Sequence, residues 1–239
     1  MRLPILAACA AAVLCAASAA SAAVYDFKAA ANSGGGIGES AWTTFSTSSF
    51  AGFTGPNLDV TASLTADASD QDDDIDQYVY FDAGNAGIGV CRDVLDGTVL
   101  NFAYGGGTNR CAPSDDDGLT TTGEVLTFTS TDMDVLISSI WINSNHDGKD
   151  PYATIWSIGG VIYDADDMIA NSVSQDGDVR IDINYFLGMG ESLEIFGISG
   201  PNSYISAIEI AAVPLPAAGL LMLGGLGGLT ALKRKRRAA

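Results

Sequence analysis

Between Val24 and Ala212 the apolar residues come in short runs, many of which alternate with polar residues at every second position. That period places successive side chains on opposite faces of an extended strand. DVRIDINYF (178–186) shows the pattern: Val179, Ile181, Ile183 and Tyr185 fall on one face, and Arg180, Asp182 and Asn184 on the other. Ten further β-type runs are VYDF (24–27), LDVTASL (58–64), QYVYF (77–81), TVLNFAY (98–104), EVLTFTS (124–130), DVLISSIWIN (134–143), ATIWSI (153–158), GVIYD (160–164), SLEIFGI (192–198) and SYISAIEI (203–210). Gly, Asn and Asp separate them, and no heptad or helix-period stripe stands out. The pattern predicts an all-β domain, an antiparallel β-sandwich of the jelly-roll type. The Ser/Gly/Thr-rich stretch 29–55 reads as a long loop with at most one short strand, at 41–45.

Both ends read differently from this middle. Residues 1–23, MRLPILAACAAAVLCAASAASAA, have one positive charge, an apolar run and small residues at the end, the layout of a secretory signal peptide. Ala20-Ser21-Ala22 and Ser21-Ala22-Ala23 both fit the small-residue requirement of signal peptidase, so the mature chain is expected to start at or near Val24. An N-terminal membrane anchor is the alternative. Export removes Cys9 and Cys15 and leaves Cys91 and Cys111, an even pair in an oxidising compartment. They are expected to form a disulfide; a metal pair is the other reading, though neither cysteine has a partner at CxxC spacing.

The last 27 residues are VPLPAAGLLMLGGLGGLTALKRKRRAA. Pro214 and Pro216 cannot both lie inside a helix, so Val213–Pro216 is expected to be extended and exposed. From Ala217 to Leu232 no residue is charged. As a single transmembrane helix this stretch would be about 24 Å long, short of the hydrocarbon core, with Lys233 and Arg234 able to snorkel across part of the difference. The basic block 233–237 would stay cytoplasmic, which puts the domain on the outer side of the membrane. Gly224 and Gly228 form a small-xxx-small pair. The span is short and its five glycines weaken the helix, which suits temporary tethering.

In its order of parts, Val213-Pro214-Leu215-Pro216-Ala217, then a Gly/Leu helix, then a basic end, the tail resembles the PEP-CTERM class of bacterial sorting signals, in the variant that begins VPLPA. The resemblance implies an exosortase as partner, a membrane-embedded transpeptidase that removes helix and basic tail. It also implies a Gram-negative source, export to the cell surface, and association with extracellular polysaccharide, as in a biofilm. Leu215 stands where the name-giving motif has Glu, which implies a different exosortase subtype. The middle also resembles domains carried by this class. GIGV (87–90) stands as their glycine-rich turn, followed by an acidic stretch and GEVLTFTSTDMDVLISSIWINSNHDG (123–148), with an E-x-L-x-F element and an N-x-x-H-D end. That likeness implies the sandwich and no reaction.

Charge narrows the partners. All 29 acidic residues lie between Asp26 and Glu209, opposed only by Lys28, Arg92, Arg110, Lys149 and Arg180, a net charge of −24 on that segment. Such a field repels nucleic acid and anionic lipid and favours cations. Asn143, Asn145 and Asp147, with Gly148 after them, imitate the first half of a calcium loop, but Thr154 stands where a bidentate Glu belongs. Asp72, Asp74 and Asp76 form a second calcium candidate within five carboxylates in seven positions, and solvated turns are the alternative at both places. GxSxG, HExxH and the P-loop are absent, and so many aspartates make any catalytic pair an arbitrary choice. His146, the one histidine, sits in a polar turn. Trp42, Tyr78, Tyr80, Trp141, Tyr152, Trp156 and Tyr204 could stack on sugars. Most of them fall in strand-like runs, so core packing is the expected role of each.

The expectation is therefore a non-enzymatic surface or matrix component, divided into 1–23, 24–212 and 213–239. A calcium-dependent carbohydrate-binding module is the alternative, and a polysaccharide hydrolase the third reading.

Overall fold

A computed structural model describes residues 22–32, 37–65, 77–94, 102–104, 111, 118–119, 123–144, 148–170 and 178–213. Residues 22–212 form one compact unit. Its strands are β1 (Ala22–Asp26), β2 (Glu39–Trp42), β3 (Thr44–Ser46), β4 (Leu58–Leu64), β5 (Tyr78–Asp82), β6 (Gly87–Cys91), β7 (Phe102–Tyr104), β8 (Glu124–Ser130), β9 (Val135–Asn143), β10 (Ile155–Ile158), β11 (Val161–Tyr163), β12 (Met168–Ala170), β13 (Val179–Leu187), β14 (Ser192–Ser199) and β15 (Tyr204–Ala212). One short helix, α1 (Phe27–Ala31), follows β1.

Among the described residues these strands make two antiparallel sheets. The larger has the order β12-β13-β9-β15-β6-β5-β2-β7, with β1 also on β15, and the smaller has the order β11-β10-β14-β8-β4-β3. The inward residues of both share one core, including Phe81, Ile88, Ile140, Ile181 and Ile208 from the larger sheet and Phe45, Val60, Leu126, Phe128, Trp156 and Ile195 from the smaller. The fold is thus all-β and sandwich-like. Along β13 the period-two pattern holds, with Val179 and Ile181 buried and Ile183 and Tyr185 packed against the core. A bulge between Asp182 and Tyr185, with Asn184 at φ 47°, shifts the register without exchanging the faces.

Three sequence expectations are corrected. VYDF is a strand only as far as Asp26: Val24, Tyr25 and Asp26 belong to β1, and Asp26 turns the chain into α1 at Phe27, its Oδ1 accepting from the Ala29 amide at 2.7 Å. The stretch 29–55 is not a long loop with one strand. It holds two strands in different sheets, because Phe45 must reach the core from the smaller sheet, where it packs edge-on against Phe81 at 4.7 Å. GIGV is strand β6, not a turn. Val90 and Ile88 face the core, while Gly87 leaves room for β15: a Cβ there would lie 2.4 Å from the Ile205 carbonyl oxygen.

β15 forks the larger sheet. Its first part pairs with β6 at Ile205, and the remainder pairs with β1 from Ala207 to Ala211. Helix α1 fills the angle between β1 and β6, and Phe27, Ala30 and Ala31 are buried there.

The sandwich has two ends. Val135, Leu187 and Ala212 are register partners at one end, where the turns β8–β9 and β13–β14 also lie; this is the C-terminal pole. Asn143, Val179 and Tyr204 mark the opposite, distal pole. The connections 65–77, 92–123, 145–147 and 171–177 all begin and end at the distal pole, and they carry 13 of the 29 acidic residues. Topology therefore puts the strand ends that flank these connections opposite the end at which β1 starts and β15 stops.

Candidate functional site

Strand β9 delivers Asn143 to the distal pole, where its side chain is buried. Its Nδ2 donates to the carbonyl oxygens of Asn85 and, at 3.3 Å, Ala86, which ties the end of β9 to the β5–β6 turn. Asn85 sits at φ 73° in that turn and exchanges hydrogen bonds with Asn32: Asn32 Nδ2 donates to Asn85 Oδ1 at 2.8 Å, and the Asn85 amide donates to Asn32 Oδ1 at 3.2 Å. The carboxamide of Asn143 thus has a tertiary role that a calcium-loop pattern does not require. Next to it, the hydroxyls of Ser144 and Ser203 are hydrogen-bonded. Thr154 Oγ1 lies 3.3 Å from Ser203 Oγ and donates to the Pro201 carbonyl at 3.3 Å. Ser144, Thr154 and Ser203 are all buried, so these bonds offset the cost of removing three hydroxyls from water. The loop after β9 closes with the Lys149 amide donating to the Ser144 carbonyl at 3.0 Å.

Of the residues expected to bind calcium, only Asn143 is described; Asn145, Asp147, Asp72, Asp74 and Asp76 lie outside the described residues. Among the described residues no group of three or more His, Cys, Asp or Glu is placed to hold a metal ion.

A second polar assembly lies on the outer face of the larger sheet. Cys91, at the end of β6, is joined to Cys111 by a disulfide with a Cα–Cα distance of 5.7 Å, and Val94 bridges to Cys111 beside it. These residues, with Ala41, Tyr80 and the half-buried Tyr78, form a small apolar cluster separate from the main core. Glu39 is buried at its margin and accepts a 2.7 Å hydrogen bond from the Tyr80 hydroxyl. Glu124, fully buried at the start of β8, has the Arg92 Nε 3.4 Å from its Oε1. That contact does not meet hydrogen-bond geometry, so the attraction is Coulombic in a poorly hydrated place.

Asp82 at the end of β5 is also buried, and a fourth buried carboxylate, Asp178, sits at the fork. Its Oδ2 accepts from Lys28 Nζ at 2.8 Å and from Ser206 Oγ at 3.0 Å, and Ser206 is the bulged residue where β15 shifts register. By contrast Arg180 and Asp182, 2.9 Å apart, are solvent-exposed, where water and salt screen the pair. Sequence reasoning missed all four buried acids, Glu39, Asp82, Glu124 and Asp178. The one available signal was the scarcity of bases, since Lys28 and Arg92 are two of only five in the domain.

The aromatic residues mostly pack inside. Trp156, Tyr80 and Tyr204 are fully buried, and Trp42 and Tyr152 pack against the core. Trp141 is half-buried. Tyr25 donates its hydroxyl to the Pro56 carbonyl. Burial pushes its pKa up to about 12, partly opposed by a hydrogen bond with Thr47 and assisted by the charge of Asp132.

Val213 is half-buried directly after β15, while Pro214, Leu215, Pro216 and Ala217 lie outside the described residues, as do 1–21 and 217–232. Among the described residues no helix is long and apolar enough to cross a membrane. Fold and site together define an all-β, sandwich-like domain of two antiparallel sheets, stapled by one disulfide. No family model matches the chain, and no curated protein or solved structure is significantly similar to it.

Proposed function

We propose that this chain is an exported surface or matrix protein, delivered by its signal peptide, held at the inner membrane by its C-terminal tail, and then processed by an exosortase-type transpeptidase. The observation that carries the reading is the order of parts in 213–237: a Pro motif, an uncharged Gly/Leu stretch and five consecutive basic residues. The domain outside the membrane is then a non-enzymatic component associated with exopolysaccharide. The disulfide is in keeping with an oxidising compartment. A jelly-roll-like topology belongs to the same reading. Its support is the alternation of the chain between sheets: β8 in the smaller, β9 in the larger, β10 and β11 in the smaller, β12 and β13 in the larger, β14 in the smaller and β15 in the larger.

Mass spectrometry of the protein recovered from its own cells tests the proposal. The expected mature chain starts near Val24 and lacks the residues beyond the Pro motif. A chain recovered intact to Ala239 from the medium, or found in the cytosol, overturns it.

A further inference from the structure

The C-terminal pole carries three exposed large apolar side chains, Phe186, Met133 and Met189, with the half-buried Leu136 and Ala211 beside Phe186. Phe186, Leu136, Ala211 and Ala22 are successive register partners across β13, β9, β15 and β1. They therefore form a row on the outer face of the larger sheet, on the opposite side from their core neighbours Ile137 and Ile210. Phe186 is 53% exposed. At the same pole the two turns present Met133 and Met189, 40% and 62% exposed. These turns are clamped to each other: the Gly190 amide donates to the Ser130 carbonyl at 2.7 Å, and the Met189 amide donates to Asp134 Oδ1 at 2.9 Å. The methionines are thus held outward by ordered backbone. Apolar residues scattered singly over a surface call for no explanation. Of the nine large apolar residues exposed among the described residues, three, Met133, Phe186 and Met189, stand together at this pole, where the chain leaves the domain.

We propose that this pole is a docking surface for the interfacial zone of a zwitterionic phospholipid bilayer while the chain is tethered. The inference rests on the tethered reading above. Its occupant is argued from where the strand ends: β15 stops at Ala212, and the five residues from there to Ala217 span at most about 17 Å, so the pole cannot stand far from the hydrocarbon that the tail enters. Flexible methionines and an aromatic ring suit a soft apolar partner of no fixed shape. Charge selects the lipid. Asp132, Asp134 and Glu191 stand at the same pole, each accepting from a backbone amide, and would repel an anionic headgroup.

The test uses the full-length chain with Cys9 and Cys15 replaced by Ser, reconstituted with phosphatidylcholine vesicles that contain a quencher-labelled lipid. Met133→Cys, Met189→Cys and Lys149→Cys are each labelled with a fluorophore after folding; Lys149 is exposed at the distal pole. Flotation is measured first. The expected result is a chain that floats with the vesicles and is quenched several-fold more at positions 133 and 189 than at 149. A chain that floats with equal quenching at all three positions overturns the docking surface alone. A chain that does not float overturns the tethered reading and this proposal with it.

Discussion

Breaking the Cys91–Cys111 disulfide separates the two apolar clusters of this domain. The bond spans a sequence separation of 20, and in the chain-entropy account closing a loop of that length stabilises the folded state by about 3 kcal/mol. The cysteines belong to the small outer cluster with Ala41, Tyr80 and Val94, not to the core shared by the sheets. The loss should therefore start locally, at the cluster of Ala41, Tyr80, Val94 and the two cysteines, while both sheets stay paired. A domain of this size shifts its Tm by roughly 2–4 °C per kcal/mol, so reduction should lower Tm by about 6–12 °C without unfolding the protein at 25 °C. Calorimetry with and without reductant measures the shift, and limited proteolysis of the reduced protein should cut first between residues 92 and 122. A Tm drop below about 2 °C, with no new cleavage in that segment, would refute the reasoning.

Gly87→Ala should cost more than about 3 kcal/mol or prevent folding, since its Cβ would lie 2.4 Å from the Ile205 carbonyl oxygen and 2.9 Å from the Ser206 Cα at φ 133°. Gly160→Ala, at φ 79° with nothing within 4 Å, should cost only about 1–2 kcal/mol in the same urea titration. Asp178→Asn weakens the bonds to Lys28 and Ser206 and should destabilise by about 2 kcal/mol, whereas Asp182→Asn, in an exposed pair, should stay within about 0.5 kcal/mol in chemical denaturation. Equal effects would show that burial at the fork does not matter. Tyr25 keeps its proton in the folded state up to about 12, while the unfolded chain releases it near 10. The folded state then binds more protons between those values, so stability should fall as pH rises through that window and stay flat with respect to this group below it. Denaturant melts at successive pH values, with Tyr25→Phe as control, should show the slope in the parent and its absence in the variant.

Much of the strand inventory was legible because burial on one face imposes a period of two, which side-chain chemistry records directly. Leu58–Leu64 and Glu124–Ser130 coincide with the runs read from the sequence, and β13 keeps its expected faces through a bulge. β6 was illegible for the converse reason: Gly87 records the closeness of the β15 backbone, not a face of its own. Helix α1 was also hidden, since five residues are too few to display a period, and its formation depends on the Asp26 cap and on burial of Phe27. At the candidate site Asn143 was noticed as a possible ligand by its spacing, yet its hydrogen bonds run to Asn85 and Ala86, far away in the chain.

Sequence alone determined the all-β class, the acidity of the domain and the unlike character of its two ends, because each is a property of composition or of local period, and it singled out Cys91 and Cys111 as candidates for a disulfide. Only the tertiary structure decided that β1 and β15 pair along one another, that Lys28 meets Asp178 across 150 positions, and that the strand ends flanking the acid-rich connections lie at the pole opposite the exposed methionines. These depend on strand order, and strand order is fixed by which distant faces can share one core, a free energy that no short stretch of the chain contains.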